Sequence, residues 1–472
     1  MRVLVVLALL CAGARSMGES ADGTLTWLDD NRGRFAGIAD LIWEHAELGY
    51  LETESSALLQ STLADNGFEV SGGVAGLPTA FVATFGEGEP VIGVLAEFDA
   101  LPGISQDARP VRRVIEGKES GHACGHHLFG AGSVAAAIAT KRWMEANDVK
   151  GTLKLFGTPA EEGGSGKVYM VRAGLFDDVD AALHWHPSDR NAANAATSLA
   201  NKSAKFRFGG ISSHAAAAPH RGRSALDGVE AMNFMVNLMR EHVPQETRIH
   251  YVITGGGAAP NVVPNKAEVY YYVRHPDAAQ LLEIWDRIVA AGEAAAKGTG
   301  TVFSMEVMHG NHSLLPNEAL SEVMHRNLSR VGGVSYSADE RRFADTIGAS
   351  LVGRGDVSGF ESMIQPRKLQ AGKGSTDVGD VSWTVPTTGL NTATWVPGTA
   401  AHSWQAIAAG GTSIGHKGMM VAAKTLALTM QELMRSPELL RRAQDEFDQR
   451  RGPEFEYEAL LGDREPPLDY RL

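Results

Sequence analysis

The apolar run Val91-Ile92-Gly93-Val94-Leu95-Ala96 breaks off at Glu97-Phe98-Asp99. A run with no polar alternation reads as a strand buried on both faces, and here its carboxyl end delivers two carboxylates. The pattern then repeats. Leu153-Lys154-Leu155-Phe156 opens into Gly157-Thr158-Pro159-Ala160-Glu161-Glu162-Gly163-Gly164, and the segment from Val179 to Trp185 closes on His186. The Ala-rich stretch from Gly130 to Ala146 between the first two strands has helical character. Alternating strands and helices predict an α/β layer, with its chemistry at the carboxyl ends of the strands. Ahead of this layer, residues 25–66 carry apolar and charged positions at helical spacing.

From about Leu199 the pattern changes. Strands are expected at 203–208, 248–254, 267–274 and 301–308, and helices at 224–240 and 277–297. That β-α-β-β-α-β order matches a ferredoxin-like α+β module. The expected architecture is therefore a mixed-sheet catalytic domain flanked by helices, residues 17–200 and 312–440, with the module inserted at 201–311 as a lid or dimerisation domain. Residues 441–472 are charged and are expected to drape over the surface as a tail.

The candidate chemistry sits at the strand ends. Gly121-His122-Ala123-Cys124-Gly125-His126-His127 places a thiol and an imidazole in one turn, and His402 follows far downstream. Thiolate, imidazole and carboxylate groups together suit a pair of zinc or manganese ions. A metal-bound thiolate at Cys124 could bridge them. Glu161 and Glu162 lie in a glycine-rich loop, so one can ligate while the other holds a water. His184 and His186 are expected on opposite faces of their strand, with only one reaching the metals. Asp99 ends its strand near Cys124 and could orient His126. Glu97 shares that face, where a structural role is equally open.

Bulk properties narrow the partners. The 472 residues carry 43 Lys and Arg against 56 Asp and Glu, a net charge of −13, with no dense basic run. This balance argues against nucleic acid and anionic membranes. The two cysteines are Cys11 and Cys124, and Cys11 lies in a short N-terminal apolar stretch, so no structural disulfide is expected. Residues 1–16 fit a secretory signal peptide, implying a periplasmic or secreted protein. Initiation at Met17 would instead leave it cytoplasmic.

These motifs resemble the dinuclear metallo-amidohydrolases related to aminoacylases, carboxypeptidases and auxin-conjugate hydrolases. The segments 96–103, 161–167 and 375–383 look most like the branch of that family concerned with aminobenzoyl-glutamate, and the likeness runs through the chain after about Leu25. The resemblance implies two divalent ions held by Cys124, His126, Glu162, His186 and His402, with Glu161 as general base. It implies that His214, in Gly210-Ile211-Ser212-Ser213-His214-Ala215, reaches the active site of a partner protomer to steady an oxyanion. It further implies that Asn261 and Arg274 hold a substrate carboxylate. His127 stands where relatives carry Asp or Asn, and could anchor the loop by hydrogen bonds. The implied activity is cleavage of an N-acyl amino acid, with p-aminobenzoyl-glutamate first and dipeptides or other N-acyl amino acids as alternatives. The protein would be a homodimer or pair with a paralogous chain as a heterodimer. A different class of reading makes the chain a weakly catalytic member of a heteromer. Retention of Glu161 with the whole ligand set argues against it.

Overall fold

The computed structural model describes residues 19–353 and 355–472. The signal-peptide reading of residues 1–16, Cys11 and Met17 lie outside the described residues. None of the described helices is long and apolar enough to cross a membrane.

The helical stretch at 25–66 resolves into three helices, Ala21–Asp30, Arg32–His45 and Thr53–Ala64. Asn31 separates the first two and spends its side-chain amide on the Trp27 carbonyl (2.9 Å), and Ala46 ends the second in the left-handed conformation (φ 44°). Glu69–Gly72 (β1), Phe81–Glu87 (β2), Val91–Ala96 (β3), Gly151–Gly157 (β4), Ala181–Ser188 (β5) and Thr387–Ala393 form one sheet. Its order is β1-β2-β4-β3-β5, then Thr387–Ala393. The last four strands in that order run parallel, and β2 and β1 add antiparallel at one edge. Every residue of β3 is buried, as an apolar run in a central parallel strand requires. Helix His126–Asn147 begins four residues earlier than the Ala-rich stretch suggested. It lies against β3, where Ser133 Oγ donates to the Leu95 carbonyl (2.7 Å), and against helix Ser413–Arg435.

Between Ala200 and Asn311 the chain forms a second sheet from Ala200–Gly209 (β6), Arg248–Gly255 (β7), Lys266–His275 (β8) and Val302–Asn311 (β9), in the order β7-β8-β6-β9 and antiparallel throughout. Helices Ala225–Met239 and Ala278–Thr299 pack on it. Phe206, Phe208, Met232, Tyr271 and Trp285 belong to a hydrophobic cluster separate from that of the first sheet. Asp277 starts the longer helix by accepting from the Gln280 N–H (2.8 Å), and Gly300 ends it at φ 67°.

The carboxyl-terminal residues run over the surface and are pinned to it at a few buried positions. Pro437–Arg451 is a helix with Ala443 and Phe447 buried. Beyond it Leu460 and Leu461 are buried, and Lys202 Nζ donates to the Leu460 carbonyl. Arg464 reaches Glu306 (2.9 Å) and the Met308 carbonyl (2.7 Å) on β9. Tyr457 donates to Asp380 (2.8 Å), and the Tyr470 ring meets Tyr50 edge-on at 5.6 Å. Apolar residues spaced among the charges dictate this path, and composition alone hid them.

Candidate metal centre and active site

Loops after β3 and β4, strand β5 itself and the turn before helix His126–Asn147 converge on one cavity of about 430 Å³. Glu97, Cys124, Glu161, Glu162, His184, His186 and His402 line it. The turn that presents Cys124 and His126 depends on Gly125, whose φ is 78° and which lies so close to Pro187 that a Cβ would meet its ring at 2.7 Å. That approach brings His186 Nε2 to 3.4 Å from Cys124 Sγ.

Two ligand-sized groups result. Cys124, His126 and His186 offer atoms all within 4.8 Å of one another, and so do Cys124, Glu162 and His402. They share the Cys124 sulfur. The histidine tautomers are set from behind. His186 Nδ1 is 2.7 Å from the Pro187 carbonyl, so it carries the proton and leaves Nε2 a lone pair. His126 Nδ1 lies 2.8 Å from Asp99 Oδ1, turning its Nε2 toward the centre. Asp99 Oδ2 in turn accepts from the Glu162 N–H (2.9 Å). His402, itself left-handed (φ 61°), hydrogen-bonds the Ala123 carbonyl through its backbone and lies 3.2 Å from Glu162 Oε1.

The loop bearing Glu161 and Glu162 is strained at both ends, with Ala160 at φ 57° and Ser165 at φ 61°. Glu52 Oε1 accepts from the Ala160 N–H (2.9 Å), the Tyr50 hydroxyl donates to the Gly164 carbonyl (2.5 Å), and Arg471 donates to the Glu162 carbonyl (2.5 Å). A Cβ at Gly166 would stand 1.9 Å from the Pro159 carbonyl oxygen, which requires glycine there.

Electrostatically the cavity is short of a cation. Burial, then Glu97 and Glu162, pushes the Glu161 carboxyl well above the usual range. Burial, then Glu162, pushes the Cys124 thiol well up. Burial opposes charge on His126, yet Cys124, Glu97 and Asp99 hold its imidazole well above its ordinary value. Glu97 Oε2 and His126 Nε2 are buried without a hydrogen-bond partner. Thiol, imidazole and carboxylate donors, crowded and partly unpaired, fit divalent ions that would deprotonate the thiol and relieve the carboxylates.

The remaining expectations fare differently. His184 and His186 both line the cavity, contrary to the expectation of opposite faces. Residues two apart on a strand share a face, which corrects that reading. Burial lowers His184 to about 4, keeping it neutral. His127 is wholly buried, its ring packed on His122 at 4.9 Å and set beside the Gly410 backbone. Arg274 lies on β8 with Nη1 3.3 Å from the hydroxyl of Ser375, a cavity residue. His214 and Asn261 sit exposed in neighbouring loops of the second sheet and do not line this chain's cavity. Sequence reasoning missed Lys167, wholly buried between Glu97 Oε1 (2.7 Å) and Asp377 Oδ1 (2.8 Å), although those partners fall in the segments 96–103 and 375–383. Burial opposes its charge, but Asp377, Glu97 and Glu161 keep it firmly cationic.

With this geometry in hand, the family model described as peptidase family M20/M25/M40 matches residues 93–360. The chain belongs to this family. As an M20/M25/M40 member it is a metal-dependent hydrolase of amide or peptide bonds. It is 40% identical over 449 residues to one of the two subunits of the p-aminobenzoyl-glutamate hydrolase of Escherichia coli, covering 89% of this chain and 93% of that protein. It is 29% identical to the Xaa-Arg dipeptidase of Mus musculus over 89% of this chain and 90% of the other. Among solved structures, an aminobenzoyl-glutamate utilization protein from Klebsiella pneumoniae superposes with a TM-score of 0.61 at 18% identity, over 88% of this chain and 98% of that one. A dinuclear metal-binding M20 peptidase from Bacillus subtilis gives 0.57 at 17% identity, over 86% and 99%.

Proposed function

We propose that this chain hydrolyses p-aminobenzoyl-glutamate to p-aminobenzoate and glutamate, using two divalent ions, manganese or zinc. Cys124, His126 and His186 would hold one of them, and Cys124, Glu162 and His402 the other. The observation that carries this reading is the pair of three-residue groups sharing Cys124, with Glu161 in the same cavity. Support for the substrate is the 40% identity to the Escherichia coli hydrolase chain.

Divalent ions held by these residues would supply Lewis-acid polarisation of the scissile carbonyl and acidify an attacking water. Glu161 accepts the water's proton and hands it to the leaving nitrogen. Asp99 holds His126 in its tautomer and fixes the Glu162 backbone, so one carboxylate keeps ligand and loop in register. Arg274 stands at the cavity margin with its Nε buried and unpartnered, and a guanidinium fork pairs well with a carboxylate. Arg274→Ala is expected to lower kcat/KM through KM by roughly 10- to 150-fold, the weight of a charge-assisted hydrogen bond of about 1.5–3 kcal/mol. Steady-state kinetics checks this: the penalty should vanish with a substrate whose carboxylates are masked as amides.

The second sheet serves as a lid and as the contact to a second protomer. Phe234 and Leu238 on its helix and Val252 and Ile253 on its edge strand β7 are exposed apolar residues, which suits a protein partner. From that partner, a copy of this chain or a paralogue, His214 completes the neighbouring site by steadying the oxyanion, and Asn261 helps to hold the substrate.

The deciding experiment is hydrolysis of p-aminobenzoyl-glutamate by the purified chain, stripped of metal and reloaded with manganese or zinc. Release of p-aminobenzoate restored by metal supports the proposal. Activity restored only on dipeptides or other N-acyl amino acids would replace the substrate. Silence until a paralogous chain is added would make this one member of a heteromer.

A further inference from the structure

We infer that Glu97 is a sixth metal-binding residue of the centre, facing the ion at His126 through Oε2 and held in that orientation by Lys167 and Asp377. The inference rests on the dinuclear reading above and extends its five ligands.

Glu97 follows β3 directly and is 1% exposed. Its two oxygens have different surroundings. Oε1 is 2.7 Å from Lys167 Nζ. Oε2 has no hydrogen-bond partner and lies 3.1 Å from His126 Nε2, which has none either. An acceptor and an imidazole nitrogen, both buried, facing each other and both unsatisfied, are costly unless a third species lies between them. His126 has already committed Nδ1 to Asp99. Glu97, His126 and Glu161 offer ligand atoms all within 4.8 Å of one another, a third group of the same kind as the two that share Cys124. Two ligand atoms each about 2.1 Å from one ion are about 3.0–3.4 Å apart at ordinary coordination angles. The 3.1 Å separation falls in that range.

Lys167 explains why Oε2 points inward. Its backbone N–H donates to Asp377 Oδ2 (2.9 Å) and its Nζ to Asp377 Oδ1 (2.8 Å), so a side chain with no exposure is fixed at both ends. The lysine captures Oε1 and leaves Oε2 for the centre. Charge agrees: one lysine faces two carboxylates, and the surplus negative charge lies on the side of His126. The competing arrangement is an imidazolium donating to both Asp99 and Glu97, with Glu97 no more than a structural counter-ion.

Cobalt(II) loading distinguishes the two. Wild type, Cys124→Ser, Glu97→Gln and Glu97→Asp are stripped and reloaded with cobalt. Bound ions are counted, affinity is measured by chelator competition, and the visible d–d absorption is recorded. Glu97→Asp keeps a charge beside Lys167 while drawing the carboxylate back from His126, and circular dichroism reports folding. Both Glu97 variants are expected to lose affinity at one of two sites by more than the roughly 10- to 100-fold that an outer residue costs. Their absorption should change as well. Wild-type affinity, or a smaller loss with unchanged absorption, overturns the inference. A wild type that binds fewer than two ions, or Cys124→Ser that binds as wild type does, removes the dinuclear reading itself and this inference with it.

Discussion

Glu161→Gln is expected to bind two metal ions as the parent does and to hydrolyse p-aminobenzoyl-glutamate about 10²- to 10⁴-fold more slowly, the usual weight of a positioned general base. Glutamine keeps the size and loses only the ability to take a proton. The neighbouring Glu162 cannot substitute, because its Oε1 lies 3.2 Å from His402 and its backbone is tied to Asp99 and Arg471. The informative comparison is kcat with metal content measured on the same sample. A fall in kcat with KM and metal occupancy unchanged assigns the proton transfer to Glu161. Retained activity would remove it from that role.

Lys167→Met should be the most destabilising single change near the site. It removes the cation between two carboxylates buried with it and leaves both uncompensated. Breaking a buried ion pair from one side costs about 3–5 kcal/mol. Chemical denaturation of metal-free protein measures this without the added stability that a bound ion confers on the folded state. Adding Asp377→Asn should recover part of the loss, because a buried pair removed together costs less than one broken. Burial already pushes the Asp377 carboxyl up to about 6 even with the lysine present. A Lys167→Met protein as stable as the parent would show that water reaches the site and screens these charges.

The strands and the strings at their ends were legible because each is local. An apolar run announces β3, a glycine-flanked Glu161-Glu162 announces a loop, and Cys124-Gly125-His126 packs two donor types into one turn. Lys167 was not legible, because its meaning lies in Asp377, 210 positions away. His184 was misjudged by a slip in strand periodicity, which the sequence itself could have corrected. The carboxyl-terminal path was hidden for a third reason. Leu460 and Leu461 are two apolar residues in a charged stretch, and only the groove between the sheets shows that they are buried.

Two covalent crossings join the sheets, at Leu199–Ala200 and Asn311–His312. The carboxyl-terminal segment is one of the non-covalent links between them, beside Arg274–Ser375 and Ser165–His309. It grips β9 through Arg464 and the catalytic loop through Arg471, seven residues later. Any swing of the second sheet about its crossings must therefore release Arg464 or pull on the Glu162 carbonyl. If the second sheet is the lid proposed above, its position would be felt through Arg464 and Arg471 at the Glu162 carbonyl, next to Glu161.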